Sequence, residues 1–311
     1  MPSISGHSLL VIGGSSGIGA AVAKLASEQG VRVSIASSNS SRVAAAVDKI
    51  KKSSGAVGSS NNSDVHGFTV DLSSPDVEKG LEKLFTDVTA QTGRQLNHIV
   101  VTAGRASMRP LAAVDREFLL AQAQLTTVAP ALVAKLAPRF LVDAPTSSVS
   151  FCGGRLFGRP IPGWPTAAMG AAGLEGLTRA LALDLAPLRV NVVHPGATET
   201  EMWGATPEQR RPTREFFERS ALLGKVGSPE DLAEAFIYLM RDSNITGTSI
   251  DSSGGILSAV VSQAVSLEGA WGRERKSSSA LVGDLRSSVT RKPFCTEWGK
   301  QQEGIRTEVR C

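Results

Sequence analysis

The sequence is short of the residues that usually move protons. Its 311 residues hold one tyrosine, Tyr238, and four histidines, and no lysine lies between Lys135 and Lys225. Cysteine is equally scarce. Cys152, Cys295 and Cys311 are too scattered for a disulfide framework and lack metal-ligand spacing, which points to a reducing, cytoplasmic compartment and to no metal site. No apolar run approaches the ~18 residues of a membrane helix. The opening MPSISGHSLLVIGG has no basic leader and meets glycine after four apolar residues, so neither a membrane span nor a signal peptide is expected. Charge of one sign is also lacking. The 33 basic and 29 acidic residues leave a net +4 that is dispersed, without the basic, aromatic-studded stripe of a nucleic-acid binder. Membrane and nucleic acid drop out as partners, and a small-molecule substrate remains.

What is present is a regular alternation. SLLVIGG, VRVSIAS, GFTVDL, NHIVVTAG, SSVSFCGG and RVNVVHPG are brief, β-branched runs closed by small residues, as buried parallel strands are. Between and after them, helical spacing predicts helices over 18–29, 41–52, 75–91, 115–136, 167–186 and 229–240. The last starts clearly, with Ser228 to cap, Pro229 at the first position and Glu230 and Asp231 at the positive end of the dipole. The expectation is an α/β fold, a Rossmann-type doubly wound parallel sheet with helices on both faces and ligands at the strands' carboxyl ends. It occupies residues 1–258 as a single domain. KKSSGAVGSSNNSDVHG reads as a mobile surface loop, and 259–311 as a disordered or loosely attached tail, since charges, serines and isolated tryptophans there follow no period.

The first strand runs into LLVIGGSSGIGAAVAKLA. Gly13 allows a tight turn, Gly17 lets backbone approach a diphosphate, and Gly19 lets the helix lie close to the sheet. With Ser15, Ser16 and Ile18 they open a helix whose unpaired N–H groups suit phosphate. After the second strand, Ser37, Ser38 and Asn39 stand where an acid would bind a free ribose 2′-OH, and Arg42 is near. Hydroxyls and a cation suit the 2′-phosphate of NADP(H); a capped helix start with a solvated arginine is the structural alternative.

GGSSGIG, the acid of VDLSS, TAG, RVNVVHPGATET and ITGTSIDSSGG together resemble the short-chain dehydrogenase/reductases over residues ~7–258. The resemblance implies that Asp71 holds the adenine amino group, that Ala103 and Gly104 line the ribose, and that Val193, Pro195 and Gly196, with Thr198 and Thr200, contact carboxamide and diphosphate. It also implies a homodimer or homotetramer through long helices.

At the catalytic positions the chain departs from that family. The tyrosine and lysine of the usual pair fall on Ala167 and Ala171, the serine on Gly153 or Cys152, the asparagine of the usual NAG on Thr102, and the helical asparagine on Gln124. Three readings follow. Hydride is transferred to an acceptor that needs no proton in that step, an imine or iminium first. Or a carbonyl is reduced with a substitute donor such as Thr166, Cys152 or water. Or nucleotide is bound without turnover. The stretch GGRLFGRPIPGW resembles an atypical fungal subgroup of indole-alkaloid pathways, NADPH-dependent reductases that also guide a Diels–Alder cyclisation and carry Pro-Asp-Pro-Gly-Trp. Here that motif is Pro160-Ile161-Pro162-Gly163-Trp164, with the aspartate replaced and Trp164 left either to stack on a substrate face or to pack as a core tryptophan at a helix entry. Arg155, Arg159 and His194 flank this region, and Met169, Met202 and Trp203 are expected either to line an apolar pocket or to pack under a mobile flap.

Overall fold

The computed structural model describes residues 2–54, 64–104 and 109–258. The 259–311 tail and most of the polar insert lie outside the described residues. Seven strands, β1 (Ser8–Ile12), β2 (Arg32–Ser37), β3 (Val65–Thr69), β4 (His98–Val101), β5 (Ser148–Cys152), β6 (Arg189–Pro195) and β7 (Ser249–Ser252), form one parallel sheet. Their order is β3-β2-β1-β4-β5-β6-β7. The chain reverses direction across the sheet between β1 and β4, which opens a crevice at their carboxyl ends.

Alternation along β1 shows how the two faces are filled. Leu10 and Ile12 join a core with Phe85, Val133, Phe151 and Leu174, while Leu9 and Val11 join another with Val22, Ala26, Phe236 and Ile237. Successive side chains of a strand point to opposite faces, so both faces need helices. α3 (Val77–Thr92), α5 (Ala129–Leu136) and α6 (Pro165–Asp184) cover the first; α1 (Gly17–Glu28), α2 (Ser40–Ser54) and α8 (Pro229–Arg241) cover the second.

Several expectations need correction. β3 starts at Val65, two residues before the expected GFTVDL run, and Lys51–Ser54 of the supposed loop belong to α2. The helix expected over 115–136 divides into α4 (Arg116–Ala123), a π turn (Gln124–Val128) and α5. Two elements went unforeseen, α7 (Pro207–Glu218) and β7. α7 buries no residue and carries Pro212 in its interior, so no apolar stripe marks it. The stretch Arg116–Arg139 is long and apolar enough by length and composition to cross a membrane. Its second half instead buries Ala129, Val133, Ala134 and Leu136 in the core.

At the end of the sheet away from the crevice, His7 Nδ1 lies 3.0 Å from His98 Nε2, and His98 Nδ1 lies 2.9 Å from Ser148 Oγ. Burial, then the charges of His7 and Arg189, hold the His98 imidazole well below its usual value, and burial lowers His7 as well. Folded protein therefore takes up fewer protons than unfolded chain in mild acid. The contribution of these rings is full above about pH 6.5 and is lost as pH falls toward the depressed folded values. The thermal midpoint is expected to fall between about pH 7.5 and about pH 5.5, and more shallowly in His98→Gln. Equal slopes in the two proteins would remove His98 from the explanation.

Candidate active site

The glycine turn is built for close approach. Gly13 has φ +99°, and a Cβ there would stand 2.5 Å from the Ala103 nitrogen; on Gly19 it would stand 2.4 Å from the Gly13 carbonyl oxygen. Ser16, the extended N-cap of α1, makes no side-chain cap bond, and the first turn of α1 carries no acid. A helix start left this way favours an anion. Ser15 is half-buried, Ile18 packs against the second core, and Gly104 at the far lip has nothing among the described residues within 4 Å of its would-be Cβ. These residues fit a dinucleotide diphosphate. Gly196 closes the opposite wall, where a Cβ would stand 2.7 Å from Ser253 Cα. Val193 and Pro195 are buried in β6, and Thr198 Oγ1 donates to the Gly196 carbonyl at 3.5 Å. Thr200 caps a short turn by accepting the Met202 N–H at 3.4 Å.

At the end of β2, Asn39 is used structurally. Its Oδ1 accepts the Arg42 N–H at 2.9 Å and the Ser41 hydroxyl at 2.8 Å, capping α2. Ser38 and Arg42 are exposed beside half-buried Ser37, and among the described residues Arg42 has no ion pair. Asp71 accepts both the hydroxyl and the N–H of Ser73, at 2.6 and 2.9 Å, and these bonds hold its carboxyl below the usual range. A cleft of 720 Å³ opens beside it between β3 and α3, lined by Thr69, Ser74, Lys79 and Lys83 among others. None of its lining comes from β4, β5 or β6, so it is not the reaction chamber.

The would-be catalytic side chains gather at the carboxyl ends of β4, β5 and β6, where α6 meets the π turn and the turn Arg155–Phe157. Ala167 is buried in the first turn of α6, and Ala171 follows one turn later. Thr102 Oγ1 reaches the Ile12 carbonyl at 3.4 Å. Gln124 donates to the Leu72 and Ser74 carbonyls at 3.0 and 3.4 Å, so it braces the chain after β3. Burial pushes the Cys152 thiol up to about 12, far from the near-neutral value a proton donor wants. Thr166 Oγ1 is buried with no hydrogen-bond partner among the described residues. Trp164 is the half-buried cap of α6, and its N–H bonds the Ile161 carbonyl at 3.2 Å across the Gly163 turn.

Sequence reasoning missed what lies beneath this floor. His194 is fully buried, with Nε2 2.7 Å from Glu175 Oε2 and Nδ1 accepting the Gly154 N–H at 3.1 Å. A backbone N–H only donates, so the ring proton sits on Nε2 and goes to Glu175. Burial raises the Glu175 carboxyl, but bonds from His194 and Ser249 and the charge of Arg179 outweigh it and leave the pKa lowered. Phe157 stacks on the imidazole at 3.9 Å between centroids. His194 is thus a support for the site loop. It also accounts for the glycine at position 153, because a Cβ there would stand 2.4 Å from His194 Nδ1. Gly153→Ser is expected to lose about 1–3 kcal/mol of stability by overpacking. Denaturant unfolding checks this, and an unchanged midpoint would mean the ring moves aside.

The mouth is cationic and aromatic. The Arg155 guanidinium lies 5.5 Å from the Phe217 ring centre, and Phe217 meets Trp203 and Phe216. Burial, then Arg159, lowers the Arg155 pKa, and no carboxylate pairs with Arg155 among the described residues. Arg159 donates to the Ile256 carbonyl. Met169 and Met202 are more than half exposed, so they line no closed pocket here.

A family model for the SDR-like Rossmann domain matches residues 3–259. The short-chain dehydrogenase/reductase ATR9 of Stachybotrys chlorohalonatus is 49% identical over 255 residues, covering 82% of this chain and 98% of that protein. The solved MalC Reductase/Diels-Alderase from Malbranchea aurantiaca superposes with a TM-score of 0.73 at 36% identity, over 81% of this chain and 96% of that one. A short chain dehydrogenase from Burkholderia cenocepacia, solved in complex with NADP, gives 0.70 at 26% identity, over 82% and 99%.

Proposed function

This chain belongs to the SDR-like Rossmann family, and from that premise we propose an NADP(H)-dependent oxidoreductase that transfers hydride to a bulky apolar small molecule of secondary metabolism without a tyrosine–lysine relay. One observation carries it: a glycine turn fitted to a diphosphate and an α6 whose first turns offer Ala167 and Ala171 both open from the carboxyl ends of the sheet strands. Bound NADPH supplies the hydride. Gly13, Gly17 and the start of α1 hold the diphosphate, and Ser37, Ser38 and Arg42 receive the 2′-phosphate. Asp71 meets the adenine and Ala103 the ribose. Trp164 and the aromatic mouth orient the substrate and keep water from the acceptor carbon, which substitutes positioning for acid catalysis. An iminium carbon suits such a site, since hydride brings two electrons to a cationic centre and leaves a neutral amine, with no proton moved. The likeness to MalC, named a reductase and Diels–Alderase, supports this choice.

Arg155 favours a second reading. A half-buried cation with no ion pair among the described residues suits an acceptor that becomes an anion, such as a conjugated carbonyl that takes hydride on carbon and leaves an enolate. Purified protein, NADPH and matched panels of cyclic iminium salts, conjugated enones and simple ketones decide among these by absorbance. Consumption of NADPH with iminium salts or enones and not with ketones is expected. Turnover of simple ketones would sink the relay-free reading, and binding of NADPH with no turnover would leave a silent nucleotide-binding protein. Ile161→Asp is the companion variant for cyclisation. We also propose a homodimer or homotetramer through α6, whose Met169, Gly173, Gly176 and Leu183 are exposed.

A further inference from the structure

We infer that Glu201 competes with the cofactor's diphosphate for the start of α1 and so sets how tightly the dinucleotide is held. This rests on the nucleotide reading above. Glu201 opens the short turn Glu201–Trp203 after β6, 184 residues from Gly17, yet its Oε2 accepts the Gly17 N–H at 3.1 Å. The approach is intimate. A Cβ on Gly17 would stand 3.2 Å from Thr200 Cγ2 and 3.8 Å from Glu201 Oε2. The turn therefore lies on the glycine loop itself.

A carboxylate at a helix N-terminus is stabilised by the same partial positive charge and the same N–H that suit a phosphate. The two anions cannot use that N–H together. Nothing else on α1 takes this place, because Ser16 makes no cap bond and the first turn has no acid. The neighbouring carboxylate is differently placed. Glu199 is held by Arg210 at 3.0 Å and by Arg214 at 3.5 Å, whereas Glu201 is exposed and has no ion pair among the described residues. Glu201 is the acid at this wall that is free to leave. In the ligand-free protein it satisfies Gly17; when the dinucleotide binds it must swing to solvent, and its loss from the helix start is subtracted from affinity.

Calorimetry on the full chain tests this with NADPH and with adenosine 2′-phosphate, which lacks the diphosphate. Glu201→Gln and Glu201→Ala are expected to bind NADPH about tenfold more tightly than the parent, from the loss of a competing helix-end charge. Adenosine 2′-phosphate is expected to bind all three alike. Thermal unfolding of the ligand-free variants confirms that each is folded. Equal or weaker NADPH binding by both variants overturns the inference, as does an equal gain for adenosine 2′-phosphate, which would make the effect one of general charge. If none of the three proteins binds NADPH, the nucleotide reading itself falls, and the inference falls with it.

Discussion

Arg189→Leu is expected to cost the fold about 3–5 kcal/mol, the largest loss of any substitution considered. Arg189 begins β6 and is 2% exposed. Nε donates to the Pro145 carbonyl at 2.6 Å, and Nη1 to that of Leu239 at 2.6 Å; Nη2 reaches the carbonyls of Met240 at 3.2 Å and Thr146 at 3.4 Å. Leu239 and Met240 sit in the last turn of α8, where carbonyls have no helical partner. One side chain thus ties the segment before β5 to the end of α8. Leucine fills part of the volume but leaves these buried acceptors unmade, at about 1–3 kcal/mol each before relaxation. Lysine, a point charge with three donors, is expected to recover only part of the loss. A midpoint lowered by about 10 °C is the thermal counterpart for a domain of this size. A leucine variant within about 1 kcal/mol of the parent in denaturant unfolding would mean that water replaces the guanidinium.

Gly13→Ala carries the largest expected effect on ligand binding. Two independent costs meet at this residue. Its φ of +99° is one L side chains rarely adopt, and the added methyl would stand 2.5 Å from the Ala103 nitrogen and 2.8 Å from the Thr102 carbonyl carbon. Both are backbone atoms at the end of β4, which cannot swing away as a side chain would. The turn itself must move, carrying the start of α1 off the diphosphate position. Stability is expected to fall by about 1–3 kcal/mol, and NADPH affinity by about a hundredfold. Gly104→Ala is the control, since among the described residues nothing lies within 4 Å of its would-be Cβ and no stability loss is expected. Circular dichroism and calorimetry read both variants. Unaltered NADPH binding by a folded Gly13→Ala would refute the placement of the diphosphate.

These effects mark where sequence is legible and where it is not. The glycine turn could be read because its steric demand is local: a strand, a tight corner and a helix lie within a dozen residues. β1 and β4 could be read because burial on both faces leaves the short continuous apolar runs LLVI and IVV, and β5 and β6 because β-branched or aromatic residues recur between their buried polar ones. β7 could not, since SIDS at the sheet edge is only half-buried and has no such run. The alanines at 167 and 171 are legible in the helical pattern alone, but the reason for Gly153 is not. It depends on His194, whose ring is set by Glu175 nineteen residues earlier and by the Phe157 stack. Glu201 is harder still, because no local pattern links it to Gly17. Asn39 shows the reverse case, a residue suited to a phosphate whose oxygen is already used to cap α2.

The most direct measurement of the central claim is the solvent isotope dependence of a single turnover. NADPH-loaded protein is mixed with a cyclic iminium salt, and absorbance is followed in H2O and in D2O, alongside NADPH deuterated at the transferred position. Without a proton in the hydride step, the expected result is the same rate in both solvents and a slower rate with the deuterated cofactor. A clearly slower reaction in D2O would show a proton moving with the hydride, and would contradict a relay-free site.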